Sequence, residues 1–179
     1  MLCFSAGIQH VSPVSTFPAA QWDRVIAINL SSAFHSTQAA LPHLAKRSGG
    51  GSGGRIINIA SVHGLVASAN KSAYVAAKHG LVGFTKAVAL EQANSGVTVN
   101  AIAPGWVLTP LVQAQIDARA AASGRTQQQE KEMMLGEKQP MLEFTTVEAL
   151  GALAVFLCQP EAKSITGAVY AMDGGWTAQ

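Results

Sequence analysis

With 179 residues, the chain is long enough for one domain with a substantial core and short for two. Apolar residues make up 49% and charged residues only 12%, a well-buried globular composition, and no apolar run approaches the roughly 20 residues of a membrane span. Twelve basic residues against 10 acidic leave a net charge of +2 with no basic cluster beyond Lys46-Arg47, which argues against nucleic acid as a partner.

The two cysteines, Cys3 and Cys158, match neither a disulfide framework nor a metal pattern and read as buried free thiols. The N-terminus has no basic region followed by a long apolar core, and the chain reads as cytoplasmic.

Met1–Ala6 is an apolar run closed by Gly7, a pattern that predicts a buried parallel strand. A turn-rich stretch with Pro13 and Pro18 follows. A long helical pattern then runs from about Ala19 to Arg47, with Trp22, Val25, Ile26, Leu30, Phe34, Leu41 and Leu44 as apolar positions and Pro42 as the expected kink. In the glycine run Ser48–Gly54, residues Gly49, Gly51 and Gly54 satisfy G-x-G-x-x-G. A phosphate cradle follows a strand and opens a helix, whereas this run follows a helix and precedes a strand, so it reads as a flexible loop.

Arg55–Ala60 is a second strand, and a helix is predicted from Ser72 to about Ala93, stopped by Asn94-Ser95-Gly96. Val97–Ala103 is a third buried strand, ended by Pro104-Gly105. Leu111–Lys138 is polar, rich in Ala and Gln and helical in pieces. The stretch 111–139 is expected to serve as a mobile substrate lid, with a solvated surface excursion as the alternative. A helix over Thr146–Leu157 and a strand over Gly167–Met172 complete the pattern. Strands alternating with helices predict one α/β domain built on a parallel sheet.

The chemistry concentrates between Ser61 and Lys78. Ser61 ends a predicted strand, at the carboxyl edge where open α/β sheets bind ligands. With Ser72 as helix cap, Tyr74 and Lys78 stand at i and i+4 on one helical face. An ammonium beside a phenol favours the phenolate, so the Tyr74 pKa is expected to fall towards neutrality and make Tyr74 a proton donor and acceptor.

Ser61, the Tyr74-x-x-x-Lys78 pair and the Ala103-Pro104-Gly105 loop together resemble the signature of the short-chain dehydrogenase/reductase family. The resemblance covers nearly the whole chain but only the later part of the family's fold. It implies an incomplete Rossmann-like, doubly wound parallel α/β sheet of four strands with helical crossovers, the N-terminal βαβαβ part being missing. Ser5-Ala6-Gly7 stands where the family has Asn-Ala-Gly. A truncated gene model or fragment is therefore expected, and Met1–Ala6 would become an open sheet edge.

The resemblance also implies roles. Tyr74 takes or returns the substrate's hydroxyl proton, Lys78 tunes the tyrosine and holds the nicotinamide ribose, Ser61 orients the substrate oxygen, and Asn29 holds a water in the proton relay. Gly7, Pro104, Gly105, Val107 and Thr109, with Tyr74 and Lys78, line the nicotinamide end of the cofactor, expected to be NAD. On the substrate side the closest likeness is to the branch of the family that oxidises D-3-hydroxybutyrate to acetoacetate. There Gln9, His63, Lys71 and Gln115 would hold the small carboxylate and Trp106 would pack beside it. A lysine with neutral donors suits that group, because charge-assisted hydrogen bonds are roughly twice as strong as neutral ones. Two alternatives remain open: a non-catalytic fragment that pairs with full-length subunits, and a reductase of another keto acid or a 3-oxoacyl substrate. Family analogy implies a homo-oligomer, commonly a tetramer, to which the two long apolar helices are suited.

Overall fold

Among the described residues four strands pair in parallel and in sequence order, β1 (Leu2–Phe4), β2 (Arg55–Ile59), β3 (Thr98–Pro104) and β4 (Val169–Met172). The computed structural model describes residues 1–45 and 53–178. Lys46-Arg47 and most of the glycine run, including Gly49 and Gly51, lie outside the described residues. The predicted four-stranded α/β sheet is the one observed, with β1 shorter than the run Met1–Ala6 and paired on one side only, to β2.

Strand alternation sorts the core onto two faces. Phe4, Ile56, Val99 and Ala101 face the helices α2 (Ser32–Ala45) and α3 (Ser72–Glu91), where they meet Leu44, Leu81 and Val88. Ile57 and Ile102 face the opposite way, against Leu150, Leu153 and Leu157 of α6 (Val147–Cys158). Both faces of the sheet are therefore covered, as parallel sheets require. Among the described residues no helix is long and apolar enough to cross a membrane.

The long N-terminal helix is interrupted, but not at Pro42, which sits inside α2. α1 (Ala19–Ile26) passes through a π-helical turn, Ala27–Ser31, before α2 begins. The cause is Asn29. Its amide Nδ2 donates to Val25 O at 2.9 Å, taking up a helix carbonyl, and to Ile8 O at 2.9 Å, while its Oδ1 accepts from Ile8 N at 3.2 Å. A side chain inserted into the i→i−4 ladder opens the turn. Asn29 thereby anchors the loop after β1 to this helix.

The stretch 111–139 forms two helices, α4 (Pro110–Ser123) and α5 (Gln127–Lys138), each with a threonine cap. Thr109 Oγ1 accepts from Val112 N at 3.4 Å, and Thr126 makes a reciprocal capping box with Gln129. The pair has a small core of its own, Val112, Ile116 and Met134, packed on Trp106 and Phe144.

Candidate active site

The four parallel strands end at one edge, and the loops after them converge there. Gly7 and Gln9 follow β1, Ser61 and His63 follow β2, Gly105 and Trp106 follow β3, and Trp176 follows β4. Among the described residues three cavities open at this edge, and one of about 340 Å³ lies outermost, against Lys71, Trp106, Gln115, Arg119 and Trp176; the other two hold the predicted site residues. The first, of about 240 Å³, is lined by Gly7, Tyr74, Lys78, Pro104, Gly105, Val107 and Thr109, with Ser61 and the apolar Ile59, Val112, Val147 and Leu150. The second, of about 70 Å³, is lined by Gln9, Ser61, His63, Lys71, Tyr74, Trp106, Gln115 and Trp176. Ser61 and Tyr74 belong to both.

Lys78 is 3% exposed and donates to Ile59 O at 2.8 Å. Its ammonium stands 5.6 Å from the centre of the Tyr74 ring. Burial lowers its pKa from 10.5 to about 8. The direction expected for Tyr74 is not observed. Burial raises the phenol's pKa, and the opposing influence is a hydrogen bond with the Ser61 hydroxyl rather than the lysine's charge. Desolvation of the phenolate outweighs the help of a neighbour placed over the ring face. The α3 cap also differs from expectation. Lys71 occupies the cap position without a side-chain capping bond, and the Ser72 hydroxyl, inside the helix, is buried without a partner among the described residues.

Ser61 caps the short 3-10 turn Val62–Gly64: its Oγ accepts from His63 N at 3.2 Å and lies 3.4 Å from His63 Nδ1. The far ring nitrogen, Nε2, is 2.8 Å from Ser68 Oγ. The imidazole meets Tyr74 and Trp176 edge-on, with centroids at 5.8 and 5.6 Å. Burial, then the charges of Lys71, His79 and Lys138, lower its pKa from 6.5 to about 4, so it is neutral at physiological pH.

The sign of the resulting pH effect follows directly. The unfolded chain binds the His63 proton more tightly, so this contribution to stability is complete above pH 6.5 and is lost as pH falls to about 4. The loss is on the order of 3 kcal/mol as an upper value, at about 1.4 kcal/mol per pH unit. His63→Gln should show a correspondingly smaller drop in urea stability between neutral and acid pH than the parent chain.

Lys71, half-buried, places its Nζ 5.4 Å over the Trp106 ring. Burial, with the Arg119 charge second, lowers its pKa. Trp106 and Trp176 lie 5.5 Å apart at 43°, and the Trp106 indole N–H is buried without an acceptor among the described residues. Among the described residues Gln115 Nε2 donates to Leu111 O, at 3.4 Å, within its own helix.

Asn29 stands behind Gly7: a Cβ on that glycine would lie 2.9 Å from Asn29 Oδ1 and 3.8 Å from Lys78 Nζ, so glycine keeps this floor open. Sequence reasoning missed Trp176 and Ser68. The signal for Trp176 was the Asp173-Gly174-Gly175 turn after a strand, at the same edge as Ser61. The Asp173 carboxylate accepts from Gly175 N, Thr177 N and Thr177 Oγ1 at 3.1, 2.9 and 2.6 Å and so fixes the turn that carries the indole.

A family model described as enoyl-(acyl carrier protein) reductase matches residues 1–177. The D-beta-hydroxybutyrate dehydrogenase of Cupriavidus necator is 58% identical over all 179 residues, which span 68% of that protein. The enzyme of the same name from Rhizobium meliloti is 54% identical over the same 179 residues and 68% of its own length. Among solved structures, a variant of actinorhodin polyketide ketoreductase with NADPH superposes with a TM-score of 0.90 at 28% identity, over 99% of this chain and 67% of the other. A 4-hydroxyisoleucine dehydrogenase complexed with NADH gives 0.79 at 29% identity, over 99% and 69%. A family model over nearly the whole chain, relatives more than half identical over its 179 residues, and solved structures of the same fold make the chain a member of the short-chain dehydrogenase/reductase family of oxidoreductases.

Proposed function

We propose that the site performs the reversible, NAD-dependent oxidation of D-3-hydroxybutyrate to acetoacetate. The observation that carries this reading is the 70 Å³ cavity, in which Gln9, His63, Lys71 and Gln115 surround a space closed by Trp106 and bordered by Tyr74 and Ser61. Its donors suit a carboxylate, and it adjoins the 340 Å³ cavity that shares Lys71, Trp106, Gln115 and Trp176. Lys71 is the cation for that carboxylate, and Gln9, Gln115 and the neutral His63 supply the uncharged contacts. The names of the two relatives favour the same substrate.

The 240 Å³ cavity falls below the roughly 300–1,000 Å³ of whole-ligand pockets, a size that suits one end of a dinucleotide. Its residues fit a nicotinamide riboside. Lys78 has donors left beyond its bond to Ile59 O, Thr109 offers a hydroxyl, and Val112, Val147 and Leu150 supply an apolar wall. Gly7, Pro104, Gly105 and Val107 complete the lining. When bound, the nicotinamide supplies the hydride acceptor or donor.

The chain's own residues handle the proton. In oxidation Tyr74 Oη takes it from the substrate hydroxyl, and in reduction it returns it to the carbonyl oxygen. Ser61 Oγ donates to that oxygen and holds it toward Tyr74. Lys78 keeps positive charge beside the phenol and binds the ribose, and Asn29 holds the loop floor and a relay water next to Lys78.

The helices α4 and α5 serve as the lid over 111–139, a role supported by their separate small core and by Leu111, Val112 and Gln115 forming one wall of the substrate cavity. The active form is a homo-oligomer, consistent with the exposed Trp22 and Phe34 of α1 and α2 and Leu90 of α3.

Acetoacetate should quench tryptophan fluorescence through the Trp106–Trp176 pair, whereas its ethyl ester should not bind. Lys71→Met should weaken acetoacetate binding by about 10- to 100-fold, the loss of one charge-assisted bond. Equal binding of acid and ester would overturn the carboxylate assignment.

A further inference from the structure

We propose that Gln139, just past the end of α5, is a positioning residue that sets the tryptophan wall of the substrate cavity from behind. The inference uses the substrate reading above for one arm of its test only. Gln139 is 1% exposed. Its Oε1 accepts from Trp106 N at 2.9 Å, and its Nε2 donates to Glu143 O.

Two glycines make room for it. A Cβ on Gly105 would stand 2.6 Å from Gln139 Oε1, and one on Gly174 would stand 2.6 Å from Gln139 Cγ. Met141 N also donates to Gly174 O at 3.0 Å. One buried amide therefore sits where the lid's end, the Gly105-Trp106 loop and the Gly174–Trp176 turn meet. It bonds the backbone of the first tryptophan and packs on the turn that carries the second.

Only a neutral amide fits this position well. It must accept from one backbone N–H and donate to one backbone C=O at the same time. Leucine would take away the acceptor of Trp106 N–H and the donor to Glu143 O, both at a part-buried junction. A glutamate would satisfy both only when protonated, and burial favours that neutral form. The placement of the Trp106 ring under the Lys71 ammonium thus depends on a residue that touches neither substrate nor cofactor.

The test compares the full chain with Gln139→Leu and Gln139→Glu, reading near-UV circular dichroism of the coupled indoles and acetoacetate binding by fluorescence. In Gln139→Leu the indole signal should collapse, with far-UV dichroism retained and acetoacetate bound about tenfold more weakly, the effect of an unsatisfied polar group. Gln139→Glu should behave like the Leu variant near pH 8 and recover near pH 5, where its carboxyl is protonated and His63 is still neutral. A folded Leu variant with an unchanged indole signal, or a Glu variant that keeps the Leu variant's signal at both pH 8 and pH 5, would overturn the proposal. Unfolding of both variants would also overturn it, because a positioning role leaves the sheet and helices standing. Failure of the parent chain to bind acetoacetate would count against the substrate reading and leave the indole comparison to decide on Gln139.

Discussion

Replacing Tyr74 with phenylalanine should lower turnover of D-3-hydroxybutyrate by about 10²–10⁴-fold, the range for removing a positioned general acid–base, with KM little changed. Phenylalanine keeps the ring that packs with Val25, Ala73 and Ala77 and loses only the hydroxyl, so the fold should persist. The direction of the tyrosine's pKa adds a sign. Because burial holds the phenol above its ordinary value, Tyr74 carries its proton at neutral pH in the ligand-free chain. It is then ready to donate, the state that reduction of acetoacetate requires. Oxidation requires the proton to leave, so its rate should rise with pH while the reductive rate falls. Assays in both directions across the pH range check this. A Phe variant with full activity, or oxidation that slows as pH rises from neutral, would remove Tyr74 from the reaction.

Lys78→Met should make the chain more stable and less active. Its pKa, lowered from 10.5 to about 8, means that the folded state disfavours the charged form relative to the unfolded chain. The penalty is complete below pH 8 and is relieved as pH rises towards 10.5, where the unfolded lysine also loses its proton. At neutral pH it is on the order of 3 kcal/mol, at about 1.4 kcal/mol per pH unit. The substitution also removes the charge-assisted bond to Ile59 O, which offsets about 1.5–3 kcal/mol. A net gain of at most about 1 kcal/mol should appear in urea unfolding at neutral pH and shrink in alkaline buffer as the parent chain recovers. Turnover should fall by at least about 10²-fold, since the tyrosine loses its cationic neighbour. A Met variant less stable than its parent at neutral pH would show that the buried ammonium is not destabilising.

Much of this architecture was legible in the sequence because it rests on local rules. Apolar runs bounded by glycine or proline marked all four strands, and the i, i+4 spacing put Tyr74 and Lys78 on one face of α3. What escaped depends on contacts made across the fold. The π-helical turn arises from Asn29 bonding to Ile8, a loop residue far away in sequence, whereas Pro42 looked like the breaker and lies undisturbed inside α2. The Tyr74 shift has the opposite sign to the one expected from spacing, because spacing reveals a neighbouring charge but not the burial that outweighs it. Gln139 reads as a polar residue before a proline. Its importance exists only once two glycines from other segments close around it. Trp176 lacked a periodic pattern and needed its neighbour across the edge, Trp106, to become visible.

The convergence of the loops at one end of a parallel sheet has a consequence for exchange with solvent. The amides of β2 and β3 are bonded on both sides and buried, so they should exchange only through global opening, whereas the loop amides a few residues later should exchange by local fluctuation. Ser61 and Gly105 each sit within two residues of that boundary. Ser61 is thus mounted at the end of the slowest part of the molecule, while Gln9, Lys71 and Gln115, half-buried beyond the sheet, belong to segments freer to exchange, which lets part of the substrate preference drift without disturbing the strand end beneath it.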